Sequence, residues 1–370
     1  MNSPTSVIAD ESRLLQLHEL ECAYLRAQSA QREAQACADV EGEADAWLAL
    51  SNAQIAISEI RAALASAKRA AELYCRLGDL PGQVRALTAT AYTATLLRRN
   101  TEALETAFLG AKLNDQLPNG PSRVASYTYL GVSLLWTYNY ARADQVLKAA
   151  IWLADELEEV KVAVHPRVNR ACAEVLYQLA RRAQKNQAPR VTRLAGLIED
   201  YQRLVEPVPA LAHEETDSLA LVLADWCAAL CAVWADDVDL AKTYAQRCGS
   251  RTAQLPKPTW HSAMALWARA EISWHEQDWP AAEAYIQDFV TQAEACENEQ
   301  LVAQGYLVQN QIFAAQQKYD QAHRSLCWLR SRDLAVQREI VDHAEELAAI
   351  RLDLILNTHS SCVAGVEGRG

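Results

Sequence analysis

Glycine is scarce in this chain of 370 residues. There are 12, about 3% against a usual level near 7%. The shortage counts against sheet-based and dinucleotide-binding architectures, whose tight turns and phosphate loops require it. Phenylalanine is rarer still, at three residues. No apolar run approaches the ~18 residues that a membrane span needs. The opening stretch MNSPTSVIADESR has neither a basic segment nor an apolar core, so no secretory signal is expected. There is no excess of base over acid: 35 Lys and Arg stand against 47 Asp and Glu, a net charge of −12. Nucleic acid is therefore not expected as a partner, because phosphate binding needs a basic face.

Catalytic signatures are also missing. There is no glycine-rich phosphate loop and no Gly-x-Ser-x-Gly elbow. His18-Glu19 lacks a second histidine four residues after the first, so the zinc-protease pattern is absent. His213-Glu214-Glu215 reads as the acidic start of a helix. The ten cysteines are scattered, most of them among Ala and Leu. That is the usage of small buried hydrophobes in a reducing compartment, and a cytoplasmic location is expected. Cys227 and Cys231 stand one helical turn apart without the two further ligands that a metal site would need. No metal, no cofactor and no enzymatic activity are expected. The basic stretch Arg181, Arg182, Lys185, Arg190 and Arg193 reads as helix C-terminal charge followed by a solvated loop.

What the chain does have is helix formers and a repeat. Ala63, Ala103, Ala143, Ala241, Ala282 and Ala322 recur at a step of about 40 residues, interrupted once in the middle. Twelve residues before these anchors stand Ser51, Ala91, Gly131, Ala229 and Ala270; the sixth position, Asn310, breaks the small-residue rule. Small residues at both positions let two helices approach closely, and larger side chains such as Trp47, Leu87 and Tyr127 then fill the space between them. One hairpin cannot bury such a stripe alone, so each needs its neighbour.

The spacing predicts a leading helix within residues 1–40, beginning at Asp10. Helix pairs follow at about 43–58 and 60–77, 82–98 and 101–116, and 122–138 and 141–157. An irregular middle over 161–214 holds helices at about 165–184 and 190–206, with Ala195 the nearest candidate anchor. Pairs resume at 215–235 and 238–251, 258–276 and 280–296, and 299–316 and 319–331. The implied units are 41–80, 81–120, 121–160, 161–214, 215–257, 258–297 and 298–331. A final helix is expected within 332–357 and a disordered tail over 358–370.

This order of residues resembles the tetratricopeptide repeat, with a longer step and without the proline that often closes the second helix. The resemblance implies an all-α protein: a right-handed superhelix of antiparallel helix pairs, a tetratricopeptide-like α-solenoid. Similar lengthened repeats occur in bacterial regulatory proteins ahead of an output domain. The terminal helix, with Arg338, Glu339, Glu345 and Glu346, resembles the signalling helix that leads into diguanylate cyclases.

In that register the first helix of each pair lines a concave groove. Arg85 and Gln304 fall eighteen residues before an anchor, and Thr88, Trp226 and Trp267 fall fifteen before. Asn52, Tyr92, Glu271 and Gln311 fall eleven before, and Trp274 eight before. These residues are expected to hold a protein or peptide segment, tryptophan being a frequent hot-spot type. Two alternatives stay open: the regulatory half of a truncated, cyclase-like signalling protein, dimerising through 332–357, and a small-peptide or ligand sensor.

Overall fold

The computed structural model describes residues 22–185, 188–205, 215–253 and 258–335. Among them are fifteen α-helices and no strand. Helix α1 covers 22–36. It is followed by α2 (Val40–Ala56), α3 (Ile60–Leu77), α4 (Leu80–Leu96), α5 (Asn100–Asn114), α6 (Pro121–Trp136), α7 (Tyr140–Asp155), α8 (Val160–Lys185) and α9 (Val191–Val205). Then come α10 (Glu215–Trp234), α11 (Val238–Ala253), α12 (Trp260–His275), α13 (Trp279–Ala295), α14 (Glu299–Ala315) and α15 (319–335). The expected start of the leading helix at Asp10, most of 332–357 and the tail lie outside the described residues. Helix α15 runs without interruption through 331–333, where the sequence pattern suggested a boundary.

From α2 to α14 each helix packs against its neighbour in the chain, and successive even-numbered helices also pack on one another. The result is an α-solenoid of antiparallel pairs with α2, α4, α6, α8, α10, α12 and α14 on the inside. The anchor alanines are the seams. Ala63, Ala143, Ala241 and Ala282 are wholly buried, as are Ser51, Ala91, Ala229 and Ala270 on the facing helices. At Gly131 a Cβ would stand 2.6 Å from Leu147 Cγ, so the close approach of α6 to α7 requires glycine there.

The scarcity of glycine has a structural counterpart in the turns. Ser58, Arg98, Tyr138, Asp236, Gln277 and Gln317 each lie five residues before an anchor, and each has a positive φ between 57° and 65°. The next residue's amide then reaches back five positions to close the helix. Glu59 N donates to Gln54 O at 2.8 Å and Lys318 N to Phe313 O at 2.9 Å, with the same bond at every anchor between them. This is the left-handed helix stop usually given to glycine. Here side chains adopt it, and Gly78 is the one glycine in that conformation among the described residues. At the starts, Asp39, Asp79, Asp278 and Asn298 accept from the amide three residues on, which satisfies an otherwise unpaired donor.

The middle differs from expectation. Helix α8 begins at Val160, not near 165, and carries Pro166 within it. The lost backbone bond is offset by burial of Ala163 and Val164 in the turn before the proline. In α9, Leu194 is wholly buried while Ala195 is only half-buried, so a leucine occupies the seam where the alanine anchor was sought. Arg193 is also no part of a solvated loop, for it bridges Asp144 on α7 (2.7 Å) and Glu174 on α8 (3.1 Å).

After one superhelical turn the array meets itself. Helix α14 lies against α4. Gln300 Nε2 donates to Asn100 Oδ1 at 3.2 Å, and the Arg61 amide donates to Glu297 Oε2 at 2.9 Å. Arg98 pairs with Asp333 on α15. The solenoid is thus closed into a ring.

Candidate functional site

Ring closure turns the groove into a chamber of about 460 Å³, walled by residues from all seven inner helices. Five of the residues that sequence spacing placed in the groove line it: Asn52, Arg85, Thr88, Tyr92 and Trp226. The wall also includes Tyr129, Trp136, His165, Asn169, Trp260, His261 and Asn298, which the spacing did not single out. Tyr129 and Trp136 fall fourteen and seven residues before Ala143. A tightly curved interior exposes a broader face of each helix than the four positions at eighteen, fifteen, eleven and eight residues before an anchor. His165 and Asn169 sit on α8, whose register was not legible, and Trp260 and His261 open α12.

The wall is predominantly apolar, aliphatic side chains alternating with aromatic rings, and Arg85 is its one Arg or Lys. The rings of Tyr92 and Tyr129 lie 5.1 Å apart, and the Trp260 indole stacks on His261 at 3.5 Å. Burial keeps the Tyr92 hydroxyl protonated far above its usual range; the nearby Tyr129 acts the same way, and a hydrogen bond from Trp260 opposes both. Burial, helped by His165, pushes His261 down to about 3, so the imidazole is neutral at physiological pH. Arg85 stands at the edge with its guanidinium over the Tyr74 ring (5.8 Å) and 3.8 Å from Asp45.

The remaining expected groove residues are placed elsewhere. Trp267 is wholly buried behind the wall, between Trp226 (5.0 Å) and Phe289 (5.3 Å), and does not face the chamber. Its large apolar surface is better satisfied between helices than on a groove. Gln304 is buried on α14 and does not line the chamber either. Glu271, Trp274 and Gln311 converge on a partner within the chain. Arg182 of α8 gives Glu271 a two-pronged ion pair (2.7 and 2.8 Å), donates to Gln311 Oε1 at 3.1 Å, and lies 4.3 Å over the Trp274 ring. Glu271 is 2% exposed, and a buried carboxylate of that kind needs a partner. The interior is therefore a cavity over one part and filled by Arg182 over another. Arg182 is not the solvated helix-end charge that the local sequence suggested.

Among the described residues no group of three or more His, Cys, Asp or Glu could hold a metal ion, and no helix is long and apolar enough to cross a membrane. Cys172 and Cys227 are both buried, with their sulfurs 3.6 Å apart. Burial raises the Cys227 thiol well above its ordinary range, and the adjacent Cys172 adds to the effect.

Ring, inner wall and alanine seams together define a tetratricopeptide-like solenoid. Solved structures similar to it are Rap proteins. A Rap protein complexed with competence and sporulation factor superposes with a TM-score of 0.62 at 12% identity, over 91% of this chain and 89% of that one. Aspartyl phosphate phosphatase F from Bacillus subtilis gives 0.55 at 8% identity, covering 80% and 72%. The apo form of RapI gives 0.51 at 12%, covering 87% and 99%. No family model matches the chain, and no curated protein does. At these identities the likeness establishes the fold. These neighbours are Rap proteins and lend no support to the expected resemblance to cyclase sensor regions.

Proposed function

We propose that this chain is a non-enzymatic binding module, a scaffold or sensor that holds a short peptide or protein segment against the inner wall of its ring. The carrying observation is the chamber itself: seven successive inner helices contribute to one largely apolar surface. An occupant would touch every repeat at once, and because each repeat contacts mainly its neighbours, small adjustments add along the stack into a change of pitch. The contacts of Asn100 with Gln300 and Arg98 with Asp333 are where that change would register. In this reading residues 1–40 and 332–357 cap the array or carry the signal out, and pairing of two copies through 332–357 is a further part of the proposal.

A similar solved structure is complexed with competence and sporulation factor, which supports a regulatory ligand for a ring of this design. Another is named an aspartyl phosphate phosphatase, which sets the rival outcome. The deciding experiment is selection of peptides from a random library, followed by Ala56→Phe. Ala56 lies on the chamber wall and is half-buried at the end of α2, so a larger ring there fills the space without overpacking the core. Binding should vanish while the melting temperature is kept. Peptides that bind the filled variant equally well would refute the reading. Phosphate release from an aspartyl-phosphate protein would replace it with a catalytic one.

A further inference from the structure

We infer that the chamber selects by charge: it takes a compact ligand with an uncharged, largely aromatic or aliphatic body and a single anionic group, seated at Arg85, and it excludes cations. The inference rests on the reading of the inner wall as a binding surface and adds the chemistry of what binds there.

Size comes first. A volume of about 460 Å³ is that of a small-molecule site, typically ~300–1,000 Å³. It accommodates a small acid or a segment of a few residues. The body follows from the wall, where Tyr92, Tyr129, Trp136 and Trp260 stand among aliphatic side chains such as Val132, Leu135 and Leu223 and Asn52 offers an amide, while Asn169 donates to His165 O and Asn298 accepts from the Leu301 amide. Trp226 is 1% exposed, and its indole N–H has no partner among the described residues.

Charge is the discriminating feature. Among the described residues, Arg85 is the one Arg or Lys on the wall, which also carries the imidazoles His165 and His261, and no Asp or Glu lines it. His261 adds no charge, being buried and neutral. A ligand ammonium or guanidinium would give up its hydration there without a counter-charge, a penalty of several kcal/mol. Each 1.4 kcal/mol is about tenfold in affinity, so a cation is disfavoured by a factor of about a hundred or more. An anion meets the opposite situation. The current partner of Arg85 is Asp45 at 3.8 Å, with both side chains more than half exposed, and such a surface pair contributes little. A ligand carboxylate can take over the guanidinium at small cost. The Tyr74 ring beneath Arg85 keeps it in place, and the Tyr74 hydroxyl holds the Asp45 carboxylate by a hydrogen bond. Asp45 itself repels a second acidic group, so the anion is single.

The test uses three probes with one ring system: 2-naphthylacetate, 2-naphthylacetamide and 2-naphthylethylammonium, titrated calorimetrically into the full chain at constant ionic strength. The acetate should bind most tightly, the amide about tenfold more weakly, and the ammonium about a hundredfold more weakly or beyond detection. Arg85→Gln should bring acetate and amide to equal affinity with an unchanged melting temperature, and Ala56→Phe should abolish both. The inference is overturned if the ammonium binds as well as the acetate, if Arg85→Gln preserves the preference, if binding survives Ala56→Phe, or if no probe binds. The peptide selection described above tests the binding surface independently, so failure of the charge rule and failure of the surface are distinguishable.

Discussion

Asn310 Nδ2 donates to the backbone carbonyl of Ala322 at 2.9 Å, and Ser51 Oγ donates to the carbonyl of Ala63 at the same distance. The two pairs are the last and first seams of the array. The residue that departs from the small-residue rule therefore performs the same bridging task with a longer arm. Asn310→Ala should cost about 1 kcal/mol in urea unfolding, the usual net value of one such hydrogen bond. Asn310→Leu should cost more, because it adds bulk at a seam and loses the donor. An unchanged midpoint in both variants would remove the bridge from the account.

Gly131 tests the opposite limit. Replacing a mid-helix glycine by alanine ordinarily gains about 1 kcal/mol in helix propensity. Here the new Cβ falls 2.6 Å from Leu147 Cγ, and overpacking of a tight interface costs about 1–3 kcal/mol. Gly131→Ala should therefore be neutral to destabilising, and adding Leu147→Ala should relieve the clash only by opening a void. A stabilised single variant, read by thermal unfolding, would show that α6 and α7 can move apart freely.

The left-handed stops make a prediction of the opposite sign. Gln277 and Gln317 hold φ near 60°, a region that costs a non-glycine residue roughly 1 kcal/mol. Gln277→Gly and Gln317→Gly should each stabilise by a few tenths to about 1 kcal/mol, the gain being reduced by the greater freedom of glycine in the unfolded chain. Denaturant midpoints of the two single variants and the double variant measure it.

His261 sets an acid-side slope. Burial lowers its pKa from 6.5 to about 3. A depressed folded-state pKa means that the unfolded chain binds the proton first. The contribution of His261 is complete above about pH 6.5 and is lost as pH falls toward about 3. The slope approaches about 1.4 kcal/mol per pH unit within that window. His261→Gln should flatten this part of the stability profile and leave it unchanged above pH 7. A profile with the same slope in the variant would assign the acid lability elsewhere.

Ring closure can be tested by charge reversal. Arg98→Glu places like charge against Asp333, whose pairing with Arg98 joins the first pairs to the last helix. The seams between adjacent helices are untouched, so the melting temperature should fall little. The radius of gyration from small-angle scattering should rise as the ring opens. A compact variant would mean that α14 against α4 suffices to hold it.

The repeat could be read without coordinates because it is a local packing rule. A small residue, an anchor twelve later and a short polar join between them impose two close antiparallel helices, whatever the rest of the chain does. Ala63, Ala103, Ala143, Ala241, Ala282 and Ala322 all sit at buried seams. Helix ends such as Asn100–Asn114 and Tyr140–Asp155 fall within two residues of their expected positions. The pattern faded only over α8 and α9, where Leu194 takes the seam and Pro166 sits inside a helix. The candidate site divides along the same line. Asn52, Arg85, Thr88, Tyr92 and Trp226 reach the chamber because helical phase alone turns them inward. Trp267 has the same phase and yet is sealed off by Trp226 and Phe289, and Glu271, Trp274 and Gln311 are claimed by Arg182 from far along the chain. Periodicity reports which way a residue points, not how far away the opposite wall stands. That distance follows from how small rotations between pairs accumulate, and it was the accumulated turn, bringing α14 back to α4, that made a chamber out of a groove.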